Sequence, residues 1–126
     1  METIKLLGRD YPLHCGVNAM RQIKRRFGGV EEAVEGLELE EDLFNKLDKS
    51  ITLIAILANE GAKLHNFEHP DEPPLPALDD DIVGSAVTIA MLGAIEGKLV
   101  TTMNEGVGRN VFSMPEPDDE KNSTGA

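Results

Sequence analysis

The chain has 126 residues, 40% hydrophobic but only 4% aromatic, with 23 acidic against 12 basic residues and a net charge of −11. This length fits one domain with a core of its own, and with no Trp that core must be aliphatic. The acidity argues against general electrostatic binding to a nucleic-acid backbone, the single cysteine rules out an intramolecular disulfide, and no apolar run is long enough for a membrane span.

Residues 1–7 contain Glu2 and only a short apolar stretch, unlike a signal peptide, so a cytoplasmic location is expected. Charge is unevenly placed. Residues 1–29 hold Lys5, Arg9, Arg21, Lys24, Arg25 and Arg26 against Glu2 and Asp10, a net +4, and the remainder carries −15. Such asymmetry favours head-to-tail self-association or a basic partner, although a solubilising acidic surface explains it as well.

Residues 3–15 read as a β-hairpin: Ile4 and Leu6 alternate with Lys5, Gly8-Arg9-Asp10 supplies turn chemistry, and Tyr11, Leu13 and Cys15 alternate again. Pro12 places its strand at an edge. A lone hairpin is marginal in water, so this one must pack on a helix or pair with another copy. Asn18 is a candidate N-cap for a first helix with Met20, Ile23 and Phe27 at helical spacing, closed by Gly28-Gly29 with basic residues near its end.

A short acidic helix over 30–36 is expected to stop at Gly36, and an amphipathic stretch follows from about Glu40 to Leu47. The strongest helix pattern runs from about Asp48 to His65, with Asp48 or Ser50 as cap and Ile51, Ile54, Ala55, Ala58 and Ala62 in one stripe. Leu53, Ile56, Leu57 and Leu64 widen that stripe, which makes this helix central, and Gly61 lowers its propensity without ending it. The prolines between His65 and Leu78 give an extended loop. Asp79-Asp80-Asp81 then opens a helix carrying Ile82, Val83, Ala86, Val87, Ala90, Met91, Ala94 and Ile95. Its Gly84, Gly93 and Gly97 would let another helix approach closely. After Val100 the pattern fades, and residues 113–126 are Pro-, acid- and Ser-rich, which gives a disordered tail. The expected fold is therefore mostly α: one domain over 1–112, with the N-terminal hairpin and a compact bundle of about four to five helices.

Several constellations invite chemical readings. His65 and His69 flank Glu68 near Asp71, a spacing that on a helix shares a ligand face, but Pro70 disfavours helix at His69. Cys15 sits beside His14, yet neighbours on a strand point to opposite faces, so a buried structural cysteine is the better reading. Glu31-Glu32, Glu40-Glu41-Asp42 and Asp79-Asp80-Asp81 read as solvated helix ends, because a catalytic pair needs distinct environments and a pocket. Gly106-Val107-Gly108 lacks the strand and helix of a phosphate loop. No catalytic residue, metal or cofactor is expected. The one basic patch, Arg21, Lys24, Arg25 and Arg26, lacks interleaved aromatics and suits a protein contact better than nucleic acid. Candidate protein-binding residues are Arg21, Lys24 and Arg25 from this patch, with Leu53, Leu57 and Leu64 from the central stripe.

The opening Thr3-Ile4-Lys5-Leu6-Leu7-Gly8-Arg9-Asp10-Tyr11-Pro12-Leu13, the helix Asn18-Ala19-Met20-Arg21-Gln22-Ile23 ending in Arg26-Phe27-Gly28-Gly29, and Ile54-Ala55-Ile56-Leu57-Ala58-Asn59-Glu60-Gly61 followed by His65 carry a resemblance. Over roughly residues 3–66 the chain resembles the tail assembly chaperones of long-tailed bacteriophages and prophages. The resemblance implies a helical fold with an N-terminal hairpin and no enzymatic activity. Its partner would be the long tape-measure protein, kept soluble while the tail tube assembles around it, and many such proteins are also made in a longer, frameshifted form. Lys121-Asn122 is compatible with a slippery A-AAA-AAC heptamer, which the gene's codons decide. The competing function is an acidic nucleic-acid mimic that occupies a DNA-binding protein; against it, the acids cluster at helix ends and in the tail. A small enzyme has least support.

Overall fold

The first strand, β1 (Thr3–Leu6), pairs antiparallel with β2 (Arg9–Pro12), Ile4 opposite Tyr11 and Lys5 opposite Asp10. Leu7 and Gly8 connect them at φ 54° and 77°, the positive values whose twist matches that of a two-residue hairpin. The turn thus lies one residue earlier than Gly8-Arg9-Asp10. Arg9 and Asp10 are strand residues, and Asp10 pairs with Lys5 across the ladder at 3.4 Å. Ile4, Leu6 and Tyr11 point into the core, followed by Leu13 and Cys15 beyond the ladder.

The computed structural model describes residues 1–108, in which five helices follow the hairpin: α1 (Val17–Phe27), α2 (Val30–Glu38), α3 (Leu43–Glu68), α4 (Asp80–Ala86) and α5 (Ile89–Val107). This is the mostly α bundle with an N-terminal hairpin that the sequence predicts. The expected tail, Lys121-Asn122 and the last residues of the 1–112 unit lie outside the described residues. Among the described residues no helix is long and apolar enough to cross a membrane.

The hairpin does not stand alone. Beyond β2, His14 donates its backbone N–H to the Leu57 carbonyl of α3 at 3.1 Å. A Cβ on Gly61 would overlap the Pro12 carbonyl. Gly61 is therefore where strand and helix backbones touch, a closeness that only glycine permits. Gly106 does the same for α5, since a Cβ there would collide with the Cys15 carbonyl.

Helix boundaries differ from expectation in five places. The N-cap of α1 is Gly16, not Asn18, and having no side chain it offers no capping acceptor; the C-terminus is as expected, with Gly28 left-handed at φ 96° and Lys24, Arg25 and Arg26 in the last turn. Gly36 does not stop α2. It is buried inside the helix, and a Cβ would press on the Lys49 chain at 2.9 Å from Cδ. The stretch 40–47 and the helix from Asp48 are one 26-residue helix, α3, capped by Asp42, whose carboxylate accepts the Asn45 N–H at 2.9 Å. Ser50 is accordingly no cap but a buried residue donating to Glu96 at 3.0 Å.

Finally, the helix expected after Asp79 is two. Asp79 caps α4, accepting the Ile82 N–H at 2.8 Å, but Val87 and Thr88 are extended and α5 begins anew at Ile89. It then continues past Val100 to Val107, because Leu99 and Met103 are fully buried. Gly93 and Gly97 have nothing within 4 Å of a Cβ, and Gly84 only an ordinary contact with Ile51, so no described helix makes the close approach expected there.

Candidate protein-binding surface

The six residues singled out from sequence do not form one patch. Arg21, Lys24 and Arg25 are exposed together on α1, where Lys24 also donates to the Gly28 carbonyl at 2.9 Å. Their neighbour Arg26 pairs with Asp80 of α4 at 3.5 Å in a half-exposed bridge, worth at most about 1 kcal/mol. Leu53 and Leu57 are fully buried in the core, so they hold the bundle together and are not surface for a partner in this fold. The cause is that the widened apolar stripe of α3 is covered on both flanks, by the hairpin and the remaining helices. Only Leu64, 37% exposed, reaches the outside. It borders a shallow cavity of about 340 Å³ with Val17, His14 and Lys63.

Sequence reasoning missed exposed apolar side chains, which stand at Leu7, Val17 and Ile89 and, as the two exposed phenylalanines, at the ends of α3. Phe44 is 73% exposed and Phe67 84% exposed, and Leu43, which precedes Phe44, is exposed as well. Helix lengths account for this. At 1.5 Å per residue, α3 is about 39 Å long, whereas α1 and α2 are about 16 and 14 Å, so the central helix outruns the elements that cover it. The available signal was composition: in a chain with four Phe, two sit at the extremities of the longest helix.

An acidic cleft of about 470 Å³ is lined by Glu32, Glu35, Glu40 and Glu41 with Leu39 and Lys49. Lys49 lies 2.6 Å from Glu40. That contact, helped by the Asp42 N–H, holds the Glu40 carboxyl below the ordinary carboxylate range. Basic α1 and this acidic corner thus give the surface two regions of opposite charge.

The remaining constellations are engaged locally. The His65 and His69 rings stack at 4.5 Å. His65 Nε2 lies 3.1 Å from Glu72 Oε1, and His69 Nδ1 lies 3.1 Å from the His65 carbonyl, to which a ring N–H donates. Among the described residues no three His, Cys, Asp or Glu are grouped to hold a metal. Cys15 is buried, which pushes its thiol up to about 11, so it stays protonated at neutral pH and is a poor nucleophile. Gly106 and Gly108 belong to the end of α5 and its cap. Glu60 was not singled out from sequence; it is nearly buried, held by Lys63 at 2.8 Å and Gln22 at 3.2 Å. No protein-family model, curated protein or solved structure matches the chain.

Proposed function

We propose that this chain is a non-enzymatic tail assembly chaperone, working in the cytoplasm, that binds a phage tape-measure protein and keeps it soluble during tail assembly. The observation that carries this reading is the exposure of Phe44 and Phe67 at the two ends of α3 on an otherwise strongly acidic protein. Large apolar side chains standing in water favour contact with another chain, and a long helical client offers apolar faces for them to cover. The net charge of −11 then keeps the complex dispersed. The sequence resemblance over residues 3–66 supplies the identity of the client.

Co-expression with the tape-measure protein of the same genome tests it. The client's soluble yield rises and the two proteins co-purify; an unchanged yield without co-purification ends the proposal. A second reading, an acidic mimic that occupies a nucleic-acid-binding protein, is favoured by the cleft of Glu32, Glu35, Glu40 and Glu41. It separates from the first by salt: binding to a basic partner weakens steeply as ionic strength rises, whereas apolar contacts through Phe44 and Phe67 persist.

A further inference from the structure

The outward faces of α1 and α2 carry opposite charge in matching register. On α1, Val17, Arg21 and Lys24 are exposed and form one stripe, at steps of four and three residues. On α2, read backwards from its C-cap, Leu39, Glu35 and Glu32 are exposed at the same steps of four and three. Each stripe therefore has an apolar side chain at one end and two like charges beyond it, cationic on α1 and anionic on α2. Such steps advance about 6 and 4.5 Å along an α-helix, so the spacing of the two stripes agrees. The separation of charge is complete: α1 contains no acidic residue and α2 no basic one.

Neither stripe finds its complement within the chain. Among the described residues Arg21, Glu32 and Glu35 make no ion pair, and Lys24 donates only to the Gly28 carbonyl. Only Gly28 and Gly29 separate the two helices, and both stripes stay exposed, so they do not meet in the same molecule. Shape agrees with charge. Glu32, Glu35, Gly36 and Leu39 line the cleft of about 470 Å³, and Gly36 adds no side chain to fill it. Lys49, the one cation there, is held by Glu40 at 2.6 Å, which leaves the cleft acidic. A helix such as α1 presents a convex ridge. Laid antiparallel in the cleft, it sets Val17 against Leu39, Arg21 against Glu35 and Lys24 against Glu32. The two helix dipoles then also run in favourable opposition.

We propose that this cleft receives α1 of a second copy of the chain, with Arg21 and Lys24 paired to Glu35 and Glu32 and Val17 packed on Leu39. Each copy carries both halves of the contact, so the chain is complementary to itself. The contact uses none of the exposed side chains of α3, and it stands whether or not the client is a tape-measure protein.

Sedimentation velocity of the full chain at low and physiological salt tests this. The wild type associates at low salt and loosens as the Debye length shrinks from about 30 Å at 0.01 M to about 8 Å at 0.15 M. Arg21→Glu with Lys24→Glu brings like charges together, as does Glu32→Lys with Glu35→Lys. Each double variant weakens association at least about tenfold. Mixed in equal amounts, the two variants associate again, because every α1 once more meets a cleft of opposite sign. The substituted positions are all exposed, and circular dichroism checks that each variant folds. A wild type that stays monomeric at low salt overturns the proposal, including the case in which the cleft takes only a basic protein of another sequence. Association that survives either double variant overturns it too and assigns self-contact to another surface. Failure of two folded variants to associate on mixing does the same.

Discussion

The middle of α3 and its two ends are built from the same residue types and meet opposite fates. Around Leu53, Ile54, Leu57 and Ala58 the helix is fully buried, touched by backbone as well as side chains, with His14 donating to the Leu57 carbonyl and Pro12 resting on Gly61. At Leu43 and Phe44, and again at Leu64 and Phe67, equally apolar side chains face water. Periodicity is continuous along the helix, so hydrophobic pattern alone does not distinguish core from contact surface. Coverage does, and coverage depends on the lengths of the neighbouring elements.

That contrast makes graded demands on substitution. Leu57→Ala removes side-chain volume from the fully buried middle and lowers stability by about 2 to 5 kcal/mol, seen as a lower urea midpoint at unchanged slope. Gly61→Ala forces a methyl into the Pro12 carbonyl and costs on the order of 3 kcal/mol, whereas Gly97→Ala, with open space around it, stabilises by about 0.5 to 1 kcal/mol; equal effects at the two glycines would show that the hairpin does not rest on α3.

Cys15, beside that seat, is protected by burial. With its thiol raised from 9.0 to about 11, it reacts with a thiol reagent at pH 8 on the order of a hundredfold more slowly than a free cysteine. The sign for stability follows. Below pH 9 the thiol is protonated in folded and unfolded chains alike and its burial contributes fully. Between about 9 and 11 only the unfolded chain ionises, so stability falls as pH rises through that window, which urea midpoints at pH 8 and 10.5 register. Asp42→Ala removes the cap at one end of α3 and costs about 1 kcal/mol, measurable as a small loss of thermal midpoint. Phe44→Ser with Phe67→Ser changes stability by no more than about 0.5 kcal/mol each, yet abolishes client co-purification. A large loss of stability in that double variant would mean the ends are core after all.

Much of the architecture was legible because local chemistry and tertiary context agree. The hairpin, the Gly28 terminus of α1 and the Asp79 cap appear where residue chemistry puts them, with the turn one residue early and the proline-rich loop starting after Glu68. The discrepancies share a cause, which is context overriding a local signal. Gly36 reads as a stop and is instead an interior position pressed by Lys49. Asp48 and Ser50 read as caps, but Asp42 is the better-placed acceptor and Ser50 turns inward to Glu96. Val87 fits a helical apolar spacing, yet Val87 and Thr88, both β-branched, adopt extended backbone and divide α4 from α5. Of the candidate surface, basic α1 was legible because its charges cluster. Leu53 and Leu57 were misplaced because a stripe wide enough to look adhesive is also wide enough to be enclosed.

The seating of the hairpin on Gly61 and Leu57 sets an order on biosynthesis. Residues 3–15 leave the ribosome before the platform they rest on, which is encoded more than forty residues later, and Gly106 closes against Cys15 later still. A two-stranded ribbon is marginal by itself, so the nascent hairpin waits, open-edged, until the central helix emerges to receive it.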